Sequence, residues 1–238
     1  MHVNTEQPNQ AELNLDPGDV AFFPLRFLRG RDFGLTVIPP CPAGSPLARI
    51  VHGCYWLARL RADGEGRKVT LLGPEVVGRF VGIQVNPGES YLVDCEFLAA
   101  LALKQGGEIQ TKVGQLFSPT MWAIGHPLPV IVHGPAHIVL YGEGLRREEA
   151  ACDSEYIPAQ LAALDARVPF EAMALNPDNG LLSHLVNALG SRSRCRLLKA
   201  GTAVVAPINH DRRSALRLAT SFATHAFFAL LFFYLLRL

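Results

Sequence analysis

Apolar and polar residues recur in short runs over the first two thirds of the chain, and Gly or Pro closes each run. Val69-Thr70-Leu71-Leu72, Arg79-Phe80-Val81-Gly82-Ile83-Gln84-Val85, Val130-Ile131-Val132 and His137-Ile138-Val139-Leu140-Tyr141 are rich in β-branched residues and too short for stable helices. Runs of this kind, bounded by turn formers, predict strands. Asp63-Gly64-Glu65-Gly66 predicts a hairpin turn between residues 55–60 and 68–72. No strand–helix–strand spacing is present, so a parallel, doubly wound sheet is not expected.

A repeat sharpens this picture. Asp16-Pro17-Gly18-Asp19 precedes Phe27-Leu28, and Asn86-Pro87-Gly88-Glu89 precedes Phe97-Leu98 at the same offset. Gly73-Pro74 precedes residues 79–85, and Gly134-Pro135 precedes residues 137–141; residues 200–207 give a fainter echo of the first pattern. Pro presets φ at the first central position of a tight turn, and Gly accepts positive φ at the second. Pro17, Gly18, Pro87, Gly88, Gly134 and Pro135 are therefore expected as structural turns. The fold class expected is mainly β: an antiparallel β-sandwich built from repeated strand-turn units, with short helices and a C-terminal apolar helix.

Three stretches depart from the strand pattern. Residues 1–14 are polar and are expected to form a disordered lead-in to a β-domain over 15–210. Residues 146–167 are charged and Ala-rich, which predicts partial helix interrupted at Pro158. Asn176-Pro177-Asp178-Asn179 is a turn and cap before Leu181, Leu182, Leu185, Val186 and Leu189, which follow at helical spacing up to a stop at Gly190.

The last segment, 211–238, pairs a basic flank with an uncharged run. Residues 218–236 contain no acidic residue, Lys, Arg, Gly or Pro. At about 1.5 Å per residue a helix here reaches roughly 28 Å, close to the ~30 Å hydrocarbon core of a bilayer. Leu218, Phe222, Phe227, Phe228, Leu230, Leu231, Phe232, Phe233, Leu235 and Leu236 form its apolar surface, and the polar residues gather at one end. Arg212, Arg213 and Arg217 precede it, a distribution that holds the main domain on the cytoplasmic side and attracts anionic lipid. A membrane-spanning tail anchor is the expectation. The alternative is a helix packed in a soluble oligomer, a reading that His225 favours because a polar group at membrane depth is costly.

Composition and motifs narrow the function. Hydrophobic residues make up 49% and charged residues 18%, with a net charge of +1. A near-neutral β region, with basic residues at 192–217 that lack interleaved aromatics, does not fit nucleic-acid binding. The five cysteines, Cys41, Cys54, Cys95, Cys152 and Cys195, are odd in number and make no CxxC pair, so neither a disulfide framework nor a zinc site is expected. The polar start lacks the basic and apolar regions of a signal peptide, which places the main domain in the cytoplasm. His126, His133 and His137 are separated by Gly134-Pro135 and lack a nearby completing carboxylate, so no metal is expected. Asp32-Phe33-Gly34 stands without the other kinase motifs, and the Gly64/Gly66 and Gly142/Gly144 pairs read as hairpin turns and not phosphate cradles. Cys54 near His52 looks like part of an apolar strand, Asp94 and Glu96 read as solvated strand charges, and no GxSxG elbow is present. No catalytic residue, cofactor or enzymatic activity is expected.

Gly73-Pro74, Phe80 to Val85, Asn86-Pro87-Gly88-Glu89, Tyr91-Leu92-Val93-Asp94 and Phe97-Leu98-Ala99-Ala100 follow one another in a distinctive order, and Gly134-Pro135-Ala136-His137-Ile138-Val139-Leu140-Tyr141-Gly142 adds a further glycine-bounded strand. Together they resemble the altered-inheritance-of-mitochondria protein 24 family. Pro74 and Pro135 stand where that family commonly has a second glycine, and the apolar tail is not one of its general features. The resemblance implies a β-sandwich like that of the tryptophan RNA-binding attenuator protein, self-association into a homo-oligomer, no catalytic residues and, for eukaryotic members, a link to mitochondrial inner-membrane organisation. No tryptophan- or RNA-binding motif stands in this chain. Residues and resemblance together point to a non-catalytic scaffolding domain whose partners are its own copies and membrane lipid. The alternative function is a soluble small-ligand-binding module.

Overall fold

The computed structural model describes residues 3–7, 9–24, 27, 36–38, 57–62, 66–73, 78–111, 130–157, 160–173 and 194–207. Among them the chain is mainly β, in four antiparallel sheets, with no α-helix. Sheet I runs β1 (Val3–Gln7), β2 (Gln10–Leu15), β6 (Arg67–Leu72). Sheet II runs β4 (Thr36–Ile38), β5 (Leu57–Arg61), β3 (Val20–Pro24), β9 (Leu98–Leu103), β12 (Ala136–Glu143), β7 (Gly78–Val85). Sheet III runs β10 (Glu108–Thr111), β11 (Val130–His133), β8 (Ser90–Val93), β15 (Leu161–Asp165), β18 (Gly201–Val205), β13 (Arg146–Ala150). Sheet IV runs β14 (Glu155–Tyr156), β17 (Arg194–Leu197), β16 (Phe170–Met173).

Three apolar clusters join these sheets. Leu13, Leu15, Val69 and Leu71 of sheet I meet Phe23, Phe80, Val139 and Tyr141 of sheet II. Ile83, Leu101, Ile138 and Leu140 of sheet II meet Tyr91, Val93, Val132 and Val204 of sheet III. Leu92, Ile131, Leu164 and Val205 of sheet III meet Cys195 and Leu197 of sheet IV. Sheets II and III are thus covered on both faces, so alternation disappears from their central strands. In β12 Ile138 and Leu140 face one cluster while Val139 and Tyr141 face the other, and Ala136 to Gly142 are all buried. Full burial of such a Leu, Ile or Val side chain contributes about 1.5–3 kcal/mol. Among the described residues the outer sheets bury one face only. Their solvent sides carry cross-strand ion pairs, Lys68–Glu12 in sheet I, and Arg194–Glu155 and Arg196–Glu171 in sheet IV.

The pairing follows one scheme three times over. β2 pairs with β6 and β3 with β5; β7 pairs with β12 and β8 with β11; β13 pairs with β18 and β14 with β17. The first strand of each set passes to the second through a tight turn that also changes sheet. The two long sheets even share a bulge. The β9–β12 register slips between Val139 and Leu140, and the β15–β18 register slips between Leu161 and Ala163.

Several expectations are corrected. The lead-in expected over 1–14 instead contains β1 and most of β2, which runs on to Leu15 with Ala11, Leu13 and Leu15 buried. Its polar residues, such as Glu12 and Asn14, occupy the outer face of sheet I, which gave the segment its polar look. No hairpin joins residues 55–60 to 68–72, because β5 pairs with β3 and β4 while β6 pairs with β2. The described residues of 146–167 form no α-helix but β13, β14 and β15, and the alanines of β15 pack in a strand buried on both faces. Asp94 and Glu96 are not a pair of solvated strand charges: Asp94 is buried, and its Oδ1 accepts the Glu96 N–H in the turn after β8. The helix expected over 181–189 and the apolar segment 218–236 lie outside the described residues.

Candidate functional site

Charged and titratable side chains gather at the two Pro-Gly turns. In the first turn, between β2 and β3, the Asp19 N–H donates to the Asp16 carbonyl at 3.0 Å, and Gly18 sits at φ 88. The Asp19 carboxylate turns back to accept the Asp16 N–H at 3.1 Å. The second turn, between β7 and β8, repeats each feature: Glu89 N–H to Asn86 carbonyl at 3.0 Å, Gly88 at φ 83, and Glu89 Oε2 accepting the Asn86 N–H at 2.9 Å. Both are type II geometries, in which the fourth residue's acid closes the ring that the sequence leaves open. Each turn is also tied to a later strand, with Ala62 N–H donating to the Asp19 carbonyl and Gly134 N–H to the Glu89 carbonyl, both at 3.0 Å.

Gly134-Pro135 is not a free-standing turn. Gly134 bridges Pro87 and approaches the Asn86 carbonyl so closely that a Cβ there would collide with it. The expected structural residues Pro17, Gly18, Pro87, Gly88, Gly134 and Pro135 therefore all occupy sheet-changing corners, and four of them meet at one. A third corner went unrecognised in the sequence. Ala151-Cys152-Asp153-Ser154 joins β13 to β14, with Asp153 at φ 64 and Leu197 N–H donating to the Ser154 carbonyl at 3.0 Å. Asp takes the left-handed position that Gly holds in the other two, so no Pro-Gly signal marks it.

Each Pro-Gly turn meets a cation from the end of a neighbouring strand. Lys104, just after β9, places Nζ 3.0 Å from Asp16 Oδ2. That pairing holds the Asp16 carboxyl below its usual range. Arg167, just after β15, grips Asp165 with two guanidinium nitrogens and lies 3.9 Å from Glu89. Burial raises the Asp165 carboxyl, but the Arg167 hydrogen bonds outweigh it and leave the pKa below the ordinary value. His137 on β12 lies beside the first cluster and is buried. Burial is the main reason its imidazole titrates below the usual value; Lys104 pushes the same way, against Asp19 and Asp16.

His133 and His137 lie in different sheets, on β11 and β12, and among the described residues no group of three His, Cys, Asp or Glu side chains is placed to hold a metal. Elsewhere, Tyr156 donates to Glu148 at 2.7 Å and has its hydroxyl pushed up to about 12 by burial and that carboxylate. Burial likewise pushes the Cys195 thiol up to about 12, far from a reactive thiolate. The arrangement supplies ion-pair clamps at corners. The expected anchor residues, Leu218, Phe222, Phe227, Phe228, Leu230, Leu231, Phe232, Phe233, Leu235 and Leu236, and their flank Arg212, Arg213 and Arg217, lie outside the described residues.

No family model and no curated protein matches the chain. Among solved structures, the crystal structure of protein SPYM3_0169 from Streptococcus pyogenes, a structural genomics target, superposes with a TM-score of 0.60 at 12% identity, covering 91% of this chain and 96% of that one. At that identity the likeness is one of fold alone.

Proposed function

We propose that the protein is a non-catalytic scaffold: a self-associating β-domain held on the cytoplasmic face of a membrane by residues 218–236. The observation that carries this reading is the uncharged run of those residues behind Arg212, Arg213 and Arg217. A span of that length and a basic flank are what a tail anchor requires. The β-domain supports the non-catalytic part, because the charged groups at its corners clamp strands together. Anchoring raises the effective concentration of weakly associating copies without any new contact.

The same reading takes the β-domain as a stacked β-sandwich of three repeated units. Its support is the threefold recurrence of nested pairs, the matching bulges and the matching corner turns. Membership of the altered-inheritance-of-mitochondria protein 24 family belongs to this proposal and rests on the glycine-bounded strands around Asn86 to Glu89.

Membrane fractionation with a carbonate wash tests the anchor. The full-length chain is expected to stay in the washed membrane, and a chain ending at Arg217 to move to the soluble fraction. A truncated chain that still pellets with membrane, or a full chain soluble without detergent, refutes it. The second result would leave the tail as a helix packed in an oligomer.

A further inference from the structure

We propose that the outer side of β7 pairs antiparallel with β7 of a second copy of this chain, a contact that rests on the self-association proposed above and gives it its strand. An edge strand presents a row of unpaired N–H and C=O groups, and proteins blunt such edges with short strands or charged side chains. Among the described residues the edge strands of the four sheets follow that rule, with β7 the exception. β4, β10, β14 and β16 are two to four residues long. β1 is five residues long and, past Val3, polar. β6 opens on Arg67-Lys68, and β13 is Arg146-Arg147-Glu148-Glu149-Ala150. β7 has eight residues and a single charge, Arg79.

Both faces of β7 are already occupied. Phe80 packs in the cluster shared with sheet I, and Ile83 and Val85 pack in the one shared with sheet III, with Val81 against it. On its inner side β7 pairs with β12 from Gly78 to Val85, and no described strand pairs with its other side. The chain itself shows what such a side accepts. β2 holds the matching place in the first repeat, where β2–β6 corresponds to β7–β12. The outer side of β2 is filled by an antiparallel strand, β1, with Val3 opposite Leu13 and Asn4 opposite Glu12. Among the described residues the second repeat has no counterpart of β1.

The sequence of β7 suits a second β7. Antiparallel pairing of a strand with its own copy is a two-fold, isologous contact, and directly opposite residues share a sheet face. With full overlap the axis passes through Val81 or Gly82. In either register Val81, Ile83 and Val85 fall in one row with their copies, so the apolar layer between sheets II and III continues across the joint. Arg79 then stands opposite Ile83 or Val85, never opposite its own copy. β13 holds the matching place in the third repeat and serves as the contrast. The same operation there sets Arg147, Glu148 or Glu149 against itself, and like charges directly opposite are destabilising.

Sedimentation velocity and amide hydrogen exchange of the full-length protein in detergent, at low and high protein concentration, test the contact. The expected result is a dimer at high concentration, with exchange slowed at least about 10-fold at those amides of 78–85 that point to the open side and unchanged at 146–150. Val81→Lys brings two ammonium groups together across the joint and is expected to raise the dimer dissociation constant at least about 5-fold. Should that variant fail to fold, the exchange pattern of the unaltered protein decides the matter. A protein monomeric at both concentrations refutes self-association, and the β7 contact with it. An assembly in which 78–85 exchanges as in the monomer, in which 146–150 is slowed as strongly, or which Val81→Lys leaves unchanged keeps self-association and overturns the role of β7.

Discussion

Gly18→Ala and Gly88→Ala isolate backbone strain at the two Pro-Gly corners. An added Cβ at either position meets no atom within 4 Å, so neither substitution creates a clash. What remains is φ, 88 at Gly18 and 83 at Gly88, a region that costs an L-residue about 1–2 kcal/mol. Partial relief comes from alanine's lower entropy in the unfolded chain, about 0.4–1 kcal/mol. The net expectation is therefore a cost of up to about 1.6 kcal/mol at each site, with near-equal values, because both turns have the same hydrogen-bond ring. Equilibrium urea unfolding measures it, with the slope against urea unchanged. Gly18→Asn provides a control, since Asn tolerates positive φ, and should recover part of the loss. Costs that differ by more than about 1 kcal/mol between the twins would refute the claim that one geometry governs both corners.

Two further outcomes are expected. Gly78→Ala should cost more than either corner substitution, about 1–3 kcal/mol in the same unfolding assay, because its Cβ would enter the space of the Tyr141 ring. Cys195, buried with its thiol pushed up to about 12, should resist a maleimide at pH 8 until the protein unfolds, while exposed Cys152 reacts at once; peptide mass mapping distinguishes them.

Strand identity was legible wherever β-branched residues cluster. The runs at 69–72, 79–85, 130–132 and 137–141 became β6, β7, β11 and β12 because their composition suits a pleated surface whichever face is buried. Pairing was not legible. Asp63-Gly64-Glu65-Gly66 has the chemistry of a hairpin turn, yet β5 and β6 join different sheets, because the four-strand nesting outranks the local turn. Residues 161–165, Leu-Ala-Ala-Leu-Asp, resemble helix by propensity. Tertiary burial on two faces overrides this, with small alanines fitting between closely packed sheets. Polar clustering at the corners was equally hidden. Lys104 and Asp16 are brought together by the pairing of β3 with β9, which sets Val20 opposite Leu103, and nothing local to either residue announces the other. The third corner escaped notice because Asp153 does the work of a glycine.

The ion pairs on the outer faces bear on how copies of this chain can grow into larger assemblies. Extending the layers by one more sheet would require stripping water from Lys68, Glu12, Arg194, Glu155, Arg196 and Glu171, at a cost the new contacts would have to offset. Repeat architectures commonly end in polar capping surfaces of this kind, which keep one molecule from becoming the template for the next. Face-to-face stacking of one molecule on the next over these described surfaces is therefore penalised on sheet I and on sheet IV alike.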